Sequence, residues 1–179
     1  MIVTYQGGES FKISQGDLSV SVNPTSNRGK SDIVLLSTTN ADLSPEGFVI
    51  SGPGEYEVKD VSIKGFLSKS VDEKINTIYM VNFEGMNLCI LGSLAQSELP
   101  AETLEHLEDI DILFAPVGAS KLAVSLEPAL IIPTSYTPDT LKKFVKDAGE
   151  DKIDPIDKLV IKKKDLEGKE GEIVILKQE

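Results

Sequence analysis

The chain has 179 residues, 40% of them hydrophobic and 26% charged, and a formal net charge of −11. That length suits one domain, residues 1–179, with a substantial core, and the composition is that of a soluble globular protein. So acidic a surface repels phosphate backbones, which excludes nucleic acid as a partner unless a local basic patch offsets it. No apolar run approaches the roughly 18 residues that cross a bilayer, and MIVTYQGGES lacks the basic and apolar regions of a signal peptide. A cytoplasmic protein with no membrane partner is expected.

The first half predicts short strands rich in β-branched residues and punctuated by Gly, Asn or Asp. They are Ile2–Tyr5, Phe11–Ser14, Leu18–Val22, Ile33–Ser37, Phe48–Ser51, Tyr56–Lys59, Val61–Leu67, Ile75–Phe83 and Leu88–Leu91. Glu84-Gly85-Met86-Asn87 reads as a hairpin turn, and Ser51-Gly52-Pro53-Gly54 as a sharp turn in which glycines flank a φ-locked proline. Asn27-Arg28-Gly29-Lys30-Ser31 ends like a phosphate-binding loop. Pro24 sits where its first glycine belongs, and strand-like residues follow where a helix is required. It reads as a polar surface loop.

The second half alternates helix and strand. Helices are predicted over Ser97–Glu108, with Leu104 and Leu107 inward, over Ser120–Glu127, and over Thr137–Ala148. The last is the best marked: Thr137 caps it, Pro138 suits its first turn and Gly149 ends it, while Leu141, Phe144, Val145 and Ala148 recur at helical spacing. Strands are expected at Ile112–Pro116, Leu130–Pro133, Lys158–Lys162 and Glu172–Leu176. Lysines 162 to 164 form the one basic cluster. Asp157, Asp165 and Glu167 interrupt it, so it reads as a solvated strand face that discourages edge pairing. Strands first, then strands alternating with helices, imply two packed sheets with helices outside.

Seven short segments, in order, carry a family resemblance. Gly7-Gly8-Glu9-Ser10-Phe11 resembles a Gly-His-x-x-Phe hairpin, Val22-Asn23-Pro24 an Asp-Pro element, and Asp32–Ser37 the strand that leads into a metal loop. Ser51–Val58 resembles a Gly-Pro-Gly-Glu-Tyr segment, and Leu91-Gly92-Ser93 a Leu-Gly-Asp element. Ala115–Gly118 and Ile132–Tyr136 resemble two later elements, the second usually reading Pro-Met-His-Tyr. Together they resemble the metallo-β-lactamase fold superfamily, in its compact UlaG-like branch of metal-dependent hydrolases. The resemblance implies an α/β (α+β) fold: a four-layer αββα sandwich of two mixed β-sheets with outer helices.

The ligands depart from that pattern. The family loop reads His-x-His-x-Asp-His, and here Thr38, Asn40 and Leu43 stand at the histidine positions, with Asp42 alone matching. Ser93 replaces the bridging carboxylate and Ser135 the final histidine. Catalytic zinc takes about three imidazole, thiolate or carboxylate ligands. Hydroxyls and an amide are poor substitutes for them, and an isobutyl group offers no lone pair. The family would use Zn or Mn. For this chain no cofactor and no metal are expected. Thr38, Asn40, Asp42, Leu43, Ser93 and Ser135 are expected to form a mostly neutral former metal-site pocket.

Metal-free catalysis finds little to work with. His106 is the one histidine and points away from the predicted helix's inward face, so a Ser-His-Asp triad lacks its base. Cys89, the one cysteine, lies in an apolar run and reads as a core thiol. Glu55 and Glu57 share one strand face and are expected to anchor the Gly-Pro-Gly turn. The leading expectation is a pseudoenzyme serving a binding or assembly role. One alternative is a metal-dependent hydrolase with a site rearranged around Asp42, Glu55, Glu57 and Glu9. Another is a small-molecule sensor using the former pocket. A small molecule, a protein or a second copy of the chain is the expected partner, the last through edge strands.

Overall fold

The structure is a computed structural model, and it describes residues 1–27, 29–38, 43–72, 74–95, 98–150 and 152–179. Strict alternation sets its beginning. Strands β1 (Ile2–Gly7), β2 (Ser10–Gln15) and β3 (Leu18–Val22) form an antiparallel meander. Val3, Tyr5, Phe11, Ile13, Val20 and Val22 all point to one buried face. β4 (Lys30–Leu35) and β5 (Glu46–Ile50) then add in parallel, and β12 (Leu159–Val160) pairs antiparallel with β1. The first sheet therefore runs β12-β1-β2-β3-β4-β5.

The second sheet begins as a meander too. β6 (Gly54–Val58), β7 (Val61–Lys69), β8 (Ile75–Phe83) and β9 (Met86–Ile90) are antiparallel, with Glu84-Gly85 turning the last hairpin as predicted. Then β10 (Ile112–Pro116), β11 (Leu130–Thr134) and β13 (Glu172–Ile173) continue it in parallel. β10 and β11 are buried at every residue, as strands covered on both faces must be. The chain thus adopts the expected sandwich of two mixed sheets.

Two cores follow from that layering. One lies between the sheets and holds Tyr79, Phe11, Phe83 and Phe114. The other lies between the second sheet and its helices: Leu122 and Ala123 of α2 (Ser120–Ser125) and Phe144 and Val145 of α3 (Pro138–Asp147) pack on Cys89, Leu113 and Ile131. Thr137 caps α3 by accepting the N–H of Thr140, as its position in the sequence suggests.

Three local expectations are corrected. Of the helix expected over Ser97–Glu108, Ser97 lies outside the described residues, and the described part holds a single α-helical turn, α1 (Ala101–Leu104), entered from Pro100. A proline biases the residue before it toward extended backbone, which disfavours helix at Leu99. Its exit tightens into i→i−3 bonds from His106 to Thr103 and from Leu107 to Leu104. Leu107 is buried but Leu104 is exposed, and Leu99 takes the second anchoring place. The basic cluster is no strand face: residues 163 to 166 form a 3-10 turn, and Lys163 donates to Asp111 at 2.6 Å. Glu55 and Glu57 are exposed, and the Gly-Pro-Gly turn is instead held by the Tyr56 hydroxyl, 3.2 Å from both Gly52 O and Pro53 O.

Candidate functional site

Three chain turns meet at one end of the sandwich. The Gly7-Gly8 turn between β1 and β2 carries Glu9, the turn after β9 carries Ser93, and the turn after β11 carries Ser135. The Ser93 hydroxyl donates to Glu9 Oε1 at 2.5 Å, and the Ser135 hydroxyl donates to the same oxygen at 3.2 Å. Two of the expected pocket positions are therefore joined, and the group that joins them is a carboxylate. The Ser135 backbone N–H also donates to Gly8 O at 2.8 Å, which fixes the first sheet's turn against the second sheet's.

Beneath these groups is a buried polar floor. Asn76, with no exposed surface, accepts the Ser93 N–H on Oδ1 at 3.1 Å. Its amide donates to Leu91 O at 2.9 Å and to Ser68 Oγ at 2.7 Å. Ser37, at the end of β4, receives its order from Asn23, whose Oδ1 accepts the Ser37 N–H at 2.7 Å. Ser37 O in turn accepts the Thr77 N–H of β8 at 2.8 Å, so the floor ties one sheet to the other. Gly92 is obligatory here. Its φ is +63°, and a Cβ would lie 2.5 Å from Asn76 Oδ1 and 2.6 Å from Ser37 Cβ.

Two phenols stand behind Glu9. Tyr5 stacks on Phe11 with centroids 4.9 Å apart, lies 5.7 Å from Tyr136, and donates to Gly8 O at 3.1 Å. Burial pushes the Tyr5 phenol up to about 12, with Tyr136 and the Glu9 charge adding to it and the Gly8 bond opposing it. Tyr136 is raised by burial as well, and its hydroxyl donates to Leu176 O at 2.9 Å. Neither phenol is a base at neutral pH.

Of the other expected pocket residues, Thr38 is half-buried directly after Ser37, and Leu43 is half-buried. Asn40 and Asp42 lie outside the described residues. Glu55 and Glu57 face solvent on β6, away from Glu9, and Lys64 pairs with Glu55 at 3.4 Å. His106 is exposed and stacks on Phe66 at 5.4 Å. Cys89 is fully buried, and burial pushes its thiol up strongly. Of the Asn27–Ser31 segment, Arg28 lies outside the described residues, Lys30 and Ser31 begin strand β4, and Gly29 and Ser31 line a polar cleft of about 270 Å³ with Gln6 and Lys12.

The donor set can be tested against a metal. Among the described residues no group of three or more His, Cys, Asp or Glu is placed to hold an ion. Among the described residues, one carboxylate and two alcohols already bonded to it converge, a set that by itself does not fit zinc or manganese. Sequence reasoning found Ser93 and Ser135 from short local motifs. It named Glu9 only as one carboxylate among four, and it missed Asn76.

A family profile described as a β-lactamase superfamily domain matches residues 2–135, well over half of the chain. The chain belongs to the metallo-β-lactamase superfamily. A Thermotoga maritima protein of that superfamily, named as a candidate Zn-dependent hydrolase, is 26% identical with a TM-score of 0.79, covering 98% of this chain and 97% of its own. A metallo hydrolase from the archaeon Ignicoccus hospitalis shares the fold at 14% identity and a TM-score of 0.61, over 90% of this chain and 99% of its own. An isothiocyanate hydrolase from Delia radicum gut bacteria does so at 11% identity and 0.65, over 90% and 99%. Comparison with curated proteins finds no match. No helix among the described residues is long and apolar enough to cross a membrane.

Proposed function

We propose that this chain is a non-catalytic member of the superfamily, kept for a binding or assembly role, in which the metal site has been lost. One observation carries the reading: the Ser93 and Ser135 hydroxyls, at positions where the family places metal ligands, both donate to Glu9. A hydroxyl that donates its proton to a carboxylate is not presenting a charged ligand to a cation, and Glu9 supplies the acceptor that an open metal site would leave to the ion. The polar floor of Asn23, Ser37 and Asn76 holds these turns in place with neutral groups.

The test is metal content and turnover together. Untagged protein purified without chelator is expected to carry far less than one equivalent of zinc, manganese or iron, and to leave phosphodiester and lactone substrates intact. A stoichiometric ion, with metal-stimulated hydrolysis that Asp42→Ala abolishes, overturns the reading. It would favour instead a hydrolase with a rearranged site, which the hydrolase names of the solved relatives support. A separate alternative is a small-molecule sensor that binds its ligand where Ser93 and Ser135 meet Glu9. It predicts a raised melting temperature with the right ligand.

A further inference from the structure

Each sheet ends in two edges, and three of the four are guarded. β12 is two residues long and flanked by Lys158 and Lys162. β13 is as short, and its Glu172 pairs with Lys169. β6 carries exposed Glu55 and Glu57. Short strands and charge are how proteins keep edges from pairing. Among the described residues β5 has neither protection. It runs five residues, Glu46-Gly47-Phe48-Val49-Ile50, its one charge is at its start, and Phe48 and Val49 are 52% and 42% exposed.

The hydrogen bonding shows which groups of β5 are unused by its neighbour. Leu36 N–H donates to Ile50 O at 2.9 Å, so Ile50 turns its backbone groups toward β4. By the two-residue period Phe48 does the same, while Gly47, Val49 and Ser51 turn theirs away from the sheet. Val49 shares the outer face with Val34, and Phe48 the inner face with Ile33. Gly47 presses the strand close to β4, since a Cβ there would lie 2.2 Å from Ser31 O.

We infer that β5 is a self-association surface, on which a second copy of this chain adds its own β5 in antiparallel pairing about a two-fold axis at Val49. In that register Val49 faces its own counterpart and exchanges two N–H···O bonds with it, Gly47 faces Ser51, and Phe48 crosses to Ile50 and is covered. The strand is self-complementary in this register: apolar meets apolar, and Glu46 falls opposite Gly52 rather than opposite itself. Two features set the strength. A five-residue pairing buries less than the roughly 1,200 Å² of a standard interface, so the dimer is weak. Two chains of charge −11 repel, so screening by salt strengthens it.

This surface lies on an edge strand and not at the Glu9 site, so a monomeric chain would leave the outcome of the metal measurement unaffected. The full chain is examined by sedimentation velocity from about 10 μM to 1 mM, a range that brackets a weak dimer, at low and at raised salt. A dimer is expected whose dissociation constant falls as salt rises. Val49→Lys sets two like charges across the axis and is expected to weaken the dimer at least about tenfold. Val160→Lys, at a 64% exposed position on β12, leaves it unchanged. Thermal melts confirm that both variants fold. Val49→Cys gives the register, because directly opposed Cα atoms about 5.5 Å apart permit a disulfide. Buried Cys89 does not compete. A monomer at every concentration, a dimer that survives Val49→Lys, or a dimer that Val49→Cys fails to cross-link overturns the inference.

Discussion

Placing a carboxylate at position 93 tests how Glu9 and Ser93 share the site. The Ser93 hydroxyl is 2.5 Å from Glu9 Oε1, so Ser93→Asp brings a second carboxylate within about 4 Å of the first. Two like charges at that distance repel by about 4 kcal/mol at an effective dielectric near 20. Both side chains are only half-buried, and water and rotamer freedom reduce the cost to about 1–2 kcal/mol. Glu9→Gln removes the charge and supplies an amide donor, so the double variant recovers most of the loss. Urea unfolding of the wild type, the two single variants and the double variant gives the coupling directly. The pH dependence has a definite sign. One carboxyl of the introduced pair has its folded-state pKa raised, so the deficit of Ser93→Asp is absent at low pH and appears as pH rises through that value. Additivity within about 0.5 kcal/mol, with a deficit that ignores pH, would refute the placement of Glu9.

Asn76→Ala leaves the buried Leu91 carbonyl and Ser93 N–H unpaired. At about 1–3 kcal/mol each the expected loss in urea unfolding is about 3–5 kcal/mol, and a loss under about 1 kcal/mol would contradict the polar floor. Asp32 is held down to about 2 by Lys59 first and by the Ser19 N–H and hydroxyl after it. The stability advantage of wild type over Asp32→Asn is therefore present above about pH 4 and lost as pH falls toward about 2, which acid unfolding curves of the two proteins read out. Cys89 is expected to ignore a disulfide reagent in native buffer and to react fully in denaturant, as its burial demands. Stoichiometric labelling of the folded protein would place the thiol elsewhere.

Local signals made much of the fold legible. Two-residue alternation marked the meanders, and the Thr137 cap with its following proline marked α3, because each is decided within a few neighbouring residues. The helix at 97–108 was misread because spacing of Leu104 and Leu107 outweighed Pro100, whose ring limits where a helix begins. The site was legible only where it resides in turns. Leu91-Gly92-Ser93 and Ser135-Tyr136 are recognisable as segments, whereas the Glu9 bonds link residues 84 and 126 positions apart in sequence. Asn76 is the second residue of a strand whose apolar run Ile78–Val81 reads as core, and nothing local distinguishes its role from that of Asn82, which is exposed on the same strand.

The same geometry shows which of the chain's own groups hold these turns in order. Gly92 and Ser135 both adopt positive φ, at +63° and +53°, immediately after strands of the second sheet. For serine that conformation is uncommon; it is offset by the bonds it permits, the Ser135 N–H to Gly8 O and the hydroxyl to Glu9. Ser93 is pinned from below by Asn76 and from above by Glu9. A carboxylate at position 93 would have needed a positive partner. A hydroxyl there needs only an acceptor, and the β1–β2 turn brings one. The hydroxyls of Ser93 and Ser135 on the second sheet thus meet the carboxylate of Glu9 on the first, a charge that two alcohols can satisfy.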